Sequence, residues 1–557
     1  MMASQLWFPF FAPSLGIFLL IIVSSLAEKA PYNSFAKDAT LASASAGHYD
    51  YIVIGGGTAG CALAATLSGS AKVLLLERGG MPYDNPNLTR QSGFLNIFFD
   101  TSPGSAAQPF VSTDGVRLTR ARILGGGSAI NVGFYSRASR EEVSDAGWDP
   151  HLVNQSYAWV ERKVTFRPKR LLRWQAAVRD GLLEAGVVPY NGGTYDHLEG
   201  TKIGNSIFDE NGYRHTAADL LEYADDTKIT LYFHAVAHQI LFKRPSSGEN
   251  NPKAYGIFFK DLKGNGHMVF LNEGPKNEII LSAGAIGSPQ LLMLSGIGPS
   301  DHLKAHGIDV VLDQPMVGQG MADNPLNGII IPSIRPTETS FSDVVGITHS
   351  GNYIETLSGL SMVPKAIEIL RRAGFDDLSF PDMKMQGGIM LEKVNKTFSQ
   401  GHMELKNRDP NDNPTVTFNY FQDPRDLQTC VRGMEVIKKV FESESFASLR
   451  NPSTSFESLL DLMSAIPFNM RQKNRLKYGA SLEDFCVDNV LTMWHFHGGC
   501  RVDNVVDRDY KVIGVDALRV VDGSTFSSSP GTNPQATVMM FGRYTGLKIL
   551  EQRSTSE

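Results

Sequence analysis

The sequence predicts an α/β fold divided into more than one domain. Its 557 residues are too many for one simple hydrophobic core, because single cores stop growing at about 250–300 residues. Residues 50–67 have the pattern of a buried strand, a glycine-rich turn and a helix, and a second apolar strand is predicted over 73–76. A strand, a helix and a strand in this order form the βαβ unit of a Rossmann-like domain.

The glycine-rich turn of this unit has the spacing Gly55-x-Gly57-x-x-Gly60. Gly55 makes the tight turn, Gly57 lets the backbone approach a pyrophosphate, and Gly60 allows the helix to pack closely. The start of the helix then directs unpaired N–H groups and a positive dipole end toward the phosphates. Glu77 ends the second strand 17 positions after Gly60, where an acid reaches a ribose. The unit predicts a dinucleotide cofactor but does not separate FAD from NAD.

A second glycine cluster, RARILGGGSAIN at residues 120–131, has no strand-helix-strand unit around it. It could be a flexible surface loop, but it resembles the GGSSxxN signature of the glucose-methanol-choline (GMC) oxidoreductases, whose backbone wraps a flavin. Four more segments resemble that family in the expected order: SAGAIGSPQLLMLSGIGP (282–299), VGQGMADNP (317–325), WHFHGGC (494–500) and LRVVDGSTFSSSPGTNPQATVMMFGRY (518–544). The resemblance implies that the cofactor is FAD.

Within that family, the chain resembles the plant branch that contains the (R)-mandelonitrile lyases and the HOTHEAD-like proteins. The shared segments are ARILGGGSAIN, GWDPHLVNQSYAWVE, TCVRGM and FCVDNV. The implied architecture is a discontinuous Rossmann-like FAD-binding domain with an inserted α+β substrate-binding domain. The expected divisions are a signal peptide (1–27), FAD-binding parts (48–145, 195–312 and 489–552) and substrate-binding parts (146–194 and 313–488).

The resemblance also assigns cofactor contacts to positions of this sequence. The ADP half of FAD is expected to contact Thr58, Ala59, Glu77 and Arg78, and the adenine is expected to meet the backbone of Ala237. The flavin and ribityl side is expected to contact Gly127, Ser128, Asn131, Val132, Gly133 and Phe134. The residues expected to close the site are Asp522, Gly523, Pro534 and Gln535, with Trp494 packed near the flavin.

The segment WHFHGGC raises the question of whether its two histidines bind a metal ion or serve in catalysis. In an extended segment His495 and His497 would project to the same face, but a metal site needs further ligands, and the spacing indicates none. We therefore expect no metal. The family resemblance selects His495, directly after the tryptophan, as the catalytic base, and leaves His497 as a packed residue.

The resemblance makes Asn533 the catalytic partner of His495. Asn533 also precedes Pro534 and a long apolar segment, a pattern that predicts a helix N-cap with proline at the first helical position. Such a helix would point its positive end at the flavin pyrimidine and stabilise negative charge there.

These residues predict a secreted FAD-dependent oxidoreductase that oxidises an alcohol by hydride transfer to flavin N5, with His495 as base and Asn533 hydrogen-bonded to the alcohol oxygen. The HOTHEAD-like resemblance implies long-chain hydroxy fatty acids as one substrate class. The electron acceptor, O2 or another, stays open.

Two alternatives to alcohol oxidation remain at this stage. One is a hydroxynitrile lyase that cleaves a cyanohydrin to an aldehyde and HCN. The resembling lyases carry histidine at the position of Asn533 and tyrosine at the position of Met493, and Asn533 cannot titrate. The other alternative is a non-catalytic flavoprotein with a structural role.

Features outside the site predict secretion. Residues 6–27 are almost wholly apolar and read as a signal peptide, although a membrane anchor is the alternative. The sequons at Asn87, Asn154 and Asn395 are predicted glycosylation sites. The resemblance pairs Cys430 with Cys486 in a disulfide, against the alternative of two free thiols. The net charge of -6 gives no reason to expect a nucleic acid or an anionic membrane as a partner.

Overall fold

A computed structural model describes residues 32, 34–42, 47–98, 100, 102–245, 250–359, 387–471 and 481–555. The predicted signal peptide (1–27) lies outside these residues. Most of the apolar stretch LSGLSMVPKAIEIL (357–370), whose sequence favours a core helix over a surface for a lipid tail, also lies outside them.

Short strands make up much of the described chain. In chain order they are β1 (Ala36–Asp38), β2 (Gly47–Tyr49), β3 (Tyr51–Ile54), β4 (Val73–Leu76), β5 (Ala107–Val111), β6 (Arg117–Ala121), β7 (Phe134–Tyr135), β8 (Tyr190–Gly193), β9 (Gly200–Ile203), β10 (Asn205–Ser206), β11 (Ile229–Phe233), β12 (Val236–Lys243), β13 (Lys253–Lys260), β14 (Gly266–Leu271), β15 (Glu278–Leu281), β16 (Ile297–Gly298), β17 (Leu312–Asp313), β18 (Gln319–Met321), β19 (Pro325–Pro332), β20 (Ser340–Phe341), β21 (Val344–Ile347), β22 (Asn352–Ser358), β23 (Gly387–Val394), β24 (Gly401–Glu404), β25 (Thr415–Thr417), β26 (Leu491–Thr492) and β27 (Leu518–Val520).

Helices alternate with these strands in both halves of the chain. The α-helices are α1 (Gly60–Ser68), α2 (Pro86–Thr89), α3 (Phe94–Phe98), α4 (Arg140–Asp145), α5 (Pro150–Val164), α6 (Arg173–Glu184), α7 (Gly284–Leu294), α8 (Ser300–Ala305), α9 (Pro424–Glu442), α10 (Glu444–Ala447), α11 (Phe456–Ala465), α12 (Leu482–Asp488) and α13 (Gln535–Ser554). The 3-10 helices are Ala39–Leu41, Gln91–Gly93, Gly126–Ala129, Ala217–Tyr223 and Gly523–Thr525.

One sheet of six parallel strands has the order β1-β11-β4-β3-β15-β27. The predicted βαβ unit is confirmed, since β3, α1 and β4 occupy the predicted positions. The residues of β3 and β4 are all buried, as expected for a parallel sheet covered on both faces. The long C-terminal helix α13 packs against α1, and α5 packs against α13.

A second, large mixed sheet has the order β26-β19-β23-β22-β21-β9-β8, with β20 paired to β22. Helices α6 and α9 pack against one face of this sheet. Its opposite face borders the main cavity of the molecule. A parallel nucleotide-type sheet beside a mixed sheet with its own helices is the predicted α/β plan with an inserted α+β part, and that prediction is confirmed.

Two of the predicted domain boundaries separate elements that the structure brings together. The boundary at 194/195 falls between β8 and β9, which pair with each other in the large mixed sheet. Helix α5 lies in the range assigned to the substrate side, yet it packs against α13 beside the parallel sheet. The boundary placed at 194/195 should therefore lie beyond Ile203, and α5 belongs with the parallel sheet. The other boundaries stay predictions.

A disulfide joins Cys430 of α9 to Cys486 of α12, which confirms the predicted pairing. Both residues are fully buried behind the large mixed sheet. The side chain of Asn327, in β19, donates a hydrogen bond to the main-chain oxygen of Cys486 at 3.1 Å, and its Oδ1 lies 3.3 Å from Cys430 Sγ. The bridge therefore connects two helices to the back of the sheet that borders the cavity.

The three predicted glycosylation sites differ in accessibility. Asn154 is exposed on α5, whereas Asn87 and Asn395 are half-buried. The side-chain oxygen of Asn87 accepts a hydrogen bond from Asn96 at 2.8 Å, and that of Asn395 is enclosed. Modification at the three sites stays a prediction. Among the described residues, no helix combines the length and apolar character that crossing a bilayer requires.

Candidate active site

A cavity of about 960 Å³ lies between the two sheets. Its volume is at the upper end of the range for small-molecule and cofactor sites. Its lining includes Arg78 and Ala237, which we call the nucleotide end, and His495 and Asn533, which we call the catalytic end. All of the residues predicted to contact the cofactor or to act in catalysis line this cavity, except Gly60. Their individual contacts stay predictions, but the structure gathers them around one space.

The first glycine turn is shaped by close approach of the main chain. Gly55 has a φ of 105°, and a Cβ at Gly60 would lie 1.9 Å from the main-chain oxygen of Gly55. Gly60 therefore allows the turn to close rather than lining the cavity. A Cβ at Gly57 would meet no atom nearer than 3.8 Å, so this glycine leaves open space for a cofactor.

The second glycine cluster packs directly on the first. The N–H of Gly125 donates to the main-chain oxygen of Gly56 at 2.7 Å. Gly126 has a φ of 58°, and a Cβ there would lie 2.7 Å from the Cα of Gly57. Two turns that lie 70 positions apart in the sequence thus form one wall, and only glycine permits their contact.

The side chain of Glu77 holds the first glycine turn in place. Its buried carboxylate accepts hydrogen bonds from the N–H groups of Gly56, at 2.9 Å, and Gly79, at 2.6 Å. Burial raises the pKa of Glu77, and these two hydrogen bonds lower it in part. The neighbouring Arg78 guanidinium donates to Gln108 and to the main-chain oxygen of Ala121, both at 2.9 Å. Glu77 therefore holds the turn as well as lining the cavity.

The predicted flavin-side residues Asn131 and Gln535 hold each other in place. Asn131 Nδ2 donates to Gln535 Oε1 at 3.0 Å, and Gln535 Nε2 donates to the main-chain oxygen of Phe134 at 2.5 Å. Arg214 donates to Asn131 Oδ1 at 3.0 Å and is fully buried, so that its pKa falls to about 9. Sequence reasoning missed Arg214, because nothing in its local sequence marks it.

Asp522 joins two other parts of the cavity wall. Its Oδ2 accepts hydrogen bonds from the N–H of Gly284 at 2.9 Å and from Ser288 Oγ at 2.5 Å, and its Oδ1 accepts one from the N–H of Ser524 at 2.8 Å. Burial raises the pKa of Asp522, and these hydrogen bonds lower it in part. The side chain connects the first turn of α7 to the 3-10 helix Gly523–Thr525.

The main chain of His495 is held by a buried carboxylate. Asp323 Oδ1 accepts the His495 N–H at 2.9 Å, and Asp323 Oδ2 accepts hydrogen bonds from Tyr420, at 2.6 Å, and from Thr492. Trp494, between Thr492 and His495, has a φ of 57°, so the segment is not a regular strand. Burial raises the pKa of Asp323 to about 6, and the hydrogen bonds lower it in part.

The His495 side chain is a half-buried base whose Nδ1 atom has no hydrogen-bond partner within the described residues. Burial, and then repulsion from the Lys393 ammonium and from His497, hold the pKa of His495 well below its ordinary value. The imidazole is therefore neutral near pH 7 and able to accept a proton.

His497 lies two residues after His495, and its side chain hydrogen-bonds the protein main chain. Its Nδ1 donates to the main-chain oxygen of His495 at 3.0 Å, and burial lowers its pKa to about 4. Across the ranges that the structure describes, no group of three His, Cys, Asp or Glu residues is arranged to hold a metal ion.

The prediction that Asn533 caps the last helix is wrong. Helix α13 begins at Gln535, Pro534 occupies the cap position, and no side chain caps the helix. The Asn533 side chain instead lies beside the carboxylate of Glu355, and this contact lowers the pKa of that acid against the larger effect of burial. A carboxylate attracts amide hydrogens strongly, which is the physical reason that the side chain lies there and not at the start of the helix. Asn533 Oδ1 is buried without a partner in the described part of the chain.

The cavity floor is one face of the large mixed sheet. Three rows of facing residues cross β19, β23 and β22, and they are Leu326–Lys393–Tyr353, Gly328–Leu391–Glu355 and Ile330–Ile389–Leu357. The first two rows carry the charged residues Lys393 and Glu355, whereas the third is wholly apolar. Sequence reasoning missed both charged residues, because nothing in the local sequence of either strand marks them.

Comparison with known proteins identifies two matching family profiles. Both are described as GMC oxidoreductase, and they match residues 49–326 and 397–542. Protein HOTHEAD of Arabidopsis thaliana is 49% identical over 91% of this chain and 88% of its own length. An (R)-mandelonitrile lyase-like protein of the same plant is 47% identical over 92% of this chain and 91% of its own length. Sinalpyl alcohol oxidase Nec3 of Nesocodon mauritianus is 41% identical over 91% of this chain and 90% of its own length.

A solved structure has the same fold. Formate oxidase of Aspergillus oryzae RIB40, from a study of FAD modification, aligns with a TM-score of 0.72 at 19% sequence identity. The alignment covers 92% of this chain and 100% of the formate oxidase chain. At that identity the likeness shows the fold alone.

Proposed function

This chain belongs to the GMC oxidoreductase family, and on that basis we propose that it oxidises an alcohol with His495 as the base. One observation carries the proposal. The half-buried, neutral imidazole of His495 and the buried Asn533 side chain, both with polar atoms left without partners in the described chain, line the same cavity. Buried polar atoms normally have partners, so their presence here supports a bound substrate oxygen.

FAD is the cofactor of this chain, as it is in the family, and the cavity fits it. The two glycine turns leave open space beside Gly57, and the first atom near a Cβ at Gly127 is 4.0 Å away. Residues predicted for the ADP half and for the flavin half lie along one continuous cavity. When bound, FAD supplies the acceptor for the hydride that an alcohol carbon gives up.

Two side chains of the site accept the proton and orient the substrate. His495 accepts the hydroxyl proton, because its imidazole is neutral near pH 7 and general bases act in that form. The amide nitrogen of Asn533 carries two hydrogens. Because Asn533 lies beside Glu355, this nitrogen can donate one hydrogen to the carboxylate and the other to the alcohol oxygen. The two side chains together orient the carbinol carbon and activate its hydroxyl group.

We infer a substrate with an apolar body from the floor of the cavity. Beyond Glu355 the floor presents the row Ile330–Ile389–Leu357, and all three side chains line the cavity. Each fully buried aliphatic or aromatic group contributes about 1.5–3 kcal/mol, so an apolar tail or ring bound here would gain affinity. A long-chain hydroxy fatty acid, the class suggested by the sequence resemblance, fits this description.

The substrate and the reaction are tested together by following flavin absorbance without oxygen. The protein is mixed separately with 1-octanol, benzyl alcohol, ethanol and choline. We expect 1-octanol and benzyl alcohol to bleach the flavin faster than ethanol, and choline to be slow because its cation would lie on the apolar row. Repeating the reaction in air tests O2 as the electron acceptor. Choline as the fastest substrate would refute an apolar body.

A hydroxynitrile lyase is the second candidate, and Glu355 is the observation that favours it. A lyase must deprotonate the cyanohydrin hydroxyl and protonate the departing cyanide. Glu355 lines the cavity and provides a titratable group that Asn533 cannot provide. Mandelonitrile is therefore the matched test compound. Release of benzaldehyde with an unbleached flavin would replace the oxidase proposal with the lyase.

We also propose that the protein is secreted. The apolar stretch at 6–27, the three sequons and the disulfide support secretion, since disulfides persist in oxidising compartments. Expression in a secreting host, followed by N-terminal sequencing of the medium, tests this proposal. A product that stays cell-bound and keeps residues 6–27 would contradict it.

A further inference from the structure

Lys393 is a buried charge that the proposed reaction does not use. Its side chain is fully buried in β23, and its ammonium lies 4.5 Å from the centre of the Tyr353 ring. Within the described residues, the Nζ atom has no hydrogen-bond partner. A buried ammonium is costly unless opposite charges compensate for it, so the compensating groups must lie nearby.

Two buried carboxylates provide the compensation. Glu355 lies diagonally from Lys393 on the same face of the sheet, because Lys393 faces Tyr353 and Glu355 faces Leu391. Asp323 immediately precedes Asn324 and β19, whose Leu326 faces Lys393. Burial lowers the pKa of Lys393 to about 8, while attraction from Glu355 and Asp323 raises it against burial.

Each of these carboxylates holds one member of the catalytic pair. Asp323 accepts the main-chain N–H of His495 at 2.9 Å. Glu355 lies beside the Asn533 side chain, close enough for this contact to lower the pKa of the acid. Both contacts need an ionised carboxylate to be strong, and ionised carboxylates in this buried position need a counter-charge.

We propose that Lys393 is a positioning residue whose ammonium is the shared counter-charge of Asp323 and Glu355, and that it thereby fixes His495 and Asn533. The proposal rests on the proposed function only in taking His495 and Asn533 as the reacting pair. Lys393 itself does not line the cavity, so it acts through the two carboxylates.

Loss of this ammonium has a specific consequence at each carboxylate. Without a counter-charge, the buried acids take up protons. A protonated Glu355 can donate to Asn533, and that donation turns the amide oxygen toward the acid and withdraws the hydrogens from the substrate. The ammonium also repels a proton on His495, so its loss raises the pKa of that imidazole.

The titratable and charged groups around Lys393 come from four parts of the chain. They are Tyr353 and Glu355 of β22, Asp323 before β19, His495 after β26, and His197 between β8 and β9. His197 is held neutral near pH 7, because burial and then Lys393 lower its pKa to about 3. The carboxylates and His495 are therefore the groups whose titration Lys393 controls.

The test compares Lys393→Met and Lys393→Arg with a matched buried lysine. Lys202 lies in β9 of the same sheet, is also fully buried, and donates to Ser136 and to the main-chain oxygen of Asp196. We expect Lys393→Met to slow flavin reduction by an alcohol about 100-fold at pH 7, the size of a misplaced reacting group. The rate should also begin to fall at a higher pH than in the wild type. Lys393→Arg should restore the wild-type pH profile, and Lys202→Met should keep it.

A uniform loss of rate at every pH in Lys393→Met would mean a structural role only and would overturn the proposal. Lys393→Gln, which is uncharged but polar, replaces the methionine variant if that variant does not load FAD. Its pH profile should shift in the same direction.

A second measurement separates this proposal from the proposed function. Carbon-13 labelled histidine in the FAD-loaded protein reports the protonation of His495 without any substrate, with His495→Gln to assign the signal. We expect the His495 titration to move to higher pH in Lys393→Met or Lys393→Gln. An unchanged titration overturns the role of Lys393. If no alcohol reduces the flavin of the wild-type protein, the proposed function alone is overturned.

Discussion

The two ends of the main cavity are built in different ways. At the nucleotide end the wall is main chain, where two glycine turns contact each other through Gly56, Gly57, Gly125 and Gly126. At the catalytic end the reacting groups are side chains, and the segment that carries His495 is held by a residue far away in sequence. Asp323 holds His495 from 172 positions away, for example. The first end depends on backbone shape, and the second depends on buried charge.

This difference determines how each end should respond to substitution. A glycine turn fails through steric contact, because an added Cβ meets another backbone. A charged network fails through protonation, because a buried acid or base without its partner changes its ionisation. Substitutions at the nucleotide end should therefore change FAD affinity, and substitutions at the catalytic end should change rates and pH profiles while FAD stays bound.

The largest expected effect is at His495. We expect His495→Gln to lower the rate of flavin reduction by an alcohol about 10²- to 10⁴-fold, the usual contribution of a general base. The FAD content should stay at the wild-type level, because the imidazole contributes no backbone to the glycine wall. Stopped-flow absorbance measures the rate, and the flavin-to-protein absorbance ratio measures the content. A variant that reduces at the wild-type rate would remove His495 from the mechanism.

The next effect concerns the disulfide behind the cavity floor. We expect Cys430→Ser with Cys486→Ser to lower the free energy of unfolding by about 3 kcal/mol, since the bridge closes a long loop. Urea unfolding measures this change. Hydrogen exchange should become faster in β19 and β23 and stay unchanged in β3 and β4, which belong to the other sheet.

The control for the disulfide variant is Cys500→Ser. Cys500 is a free and fully buried cysteine, so its replacement removes a buried sulfur without opening a loop. It should lower stability by less than the double variant. Equal losses in both variants would mean that the bridge itself adds nothing.

At the nucleotide end, Gly126→Ala should weaken FAD binding about 10- to 100-fold. The added Cβ would lie 2.7 Å from the Cα of Gly57, and a strained left-handed residue costs about 1–3 kcal/mol in addition. Gly147→Ala is the matched control, because Gly147 has a φ of 67° with no atom within 4 Å of its added Cβ. Titration of the apoprotein with FAD, followed by flavin fluorescence, gives both affinities. Equal losses would assign the effect to backbone strain rather than to the contact between the two turns.

Sequence was sufficient for the nucleotide end and insufficient for the catalytic end. The turn Gly55-x-Gly57-x-x-Gly60 and the strands around it are local, so spacing alone predicts β3, α1 and β4. His495 and Asn533 came from family resemblance. Glu355, Lys393 and Arg214 carry no local signal, and Asp323 lies in the segment VGQGMADNP without any local sign of its role, since these roles arise only when distant parts of the chain meet. The helix cap assigned to Asn533 failed because Pro534 occupies the cap position and the helix begins at Gln535.

The smallest expected effect is the change in the rate of flavin reduction with pH. The base His495 has a pKa well below 6.5, because burial, Lys393 and His497 all disfavour its protonated form. The rate of flavin reduction falls as the pH drops through the pKa of His495, so titration of this base should change the rate very little between pH 8 and pH 6. Asp323, whose pKa is about 6, is half protonated at pH 6, so the whole change should be about twofold. If the base were an ordinary histidine with a pKa near 6.5, the rate would fall about fourfold over this range. A wild-type profile with a midpoint near 6.5 would show that the buried charges near His495 do not control its pKa. The two ends of the cavity would then differ only in that one is built from main chain and the other from side chains.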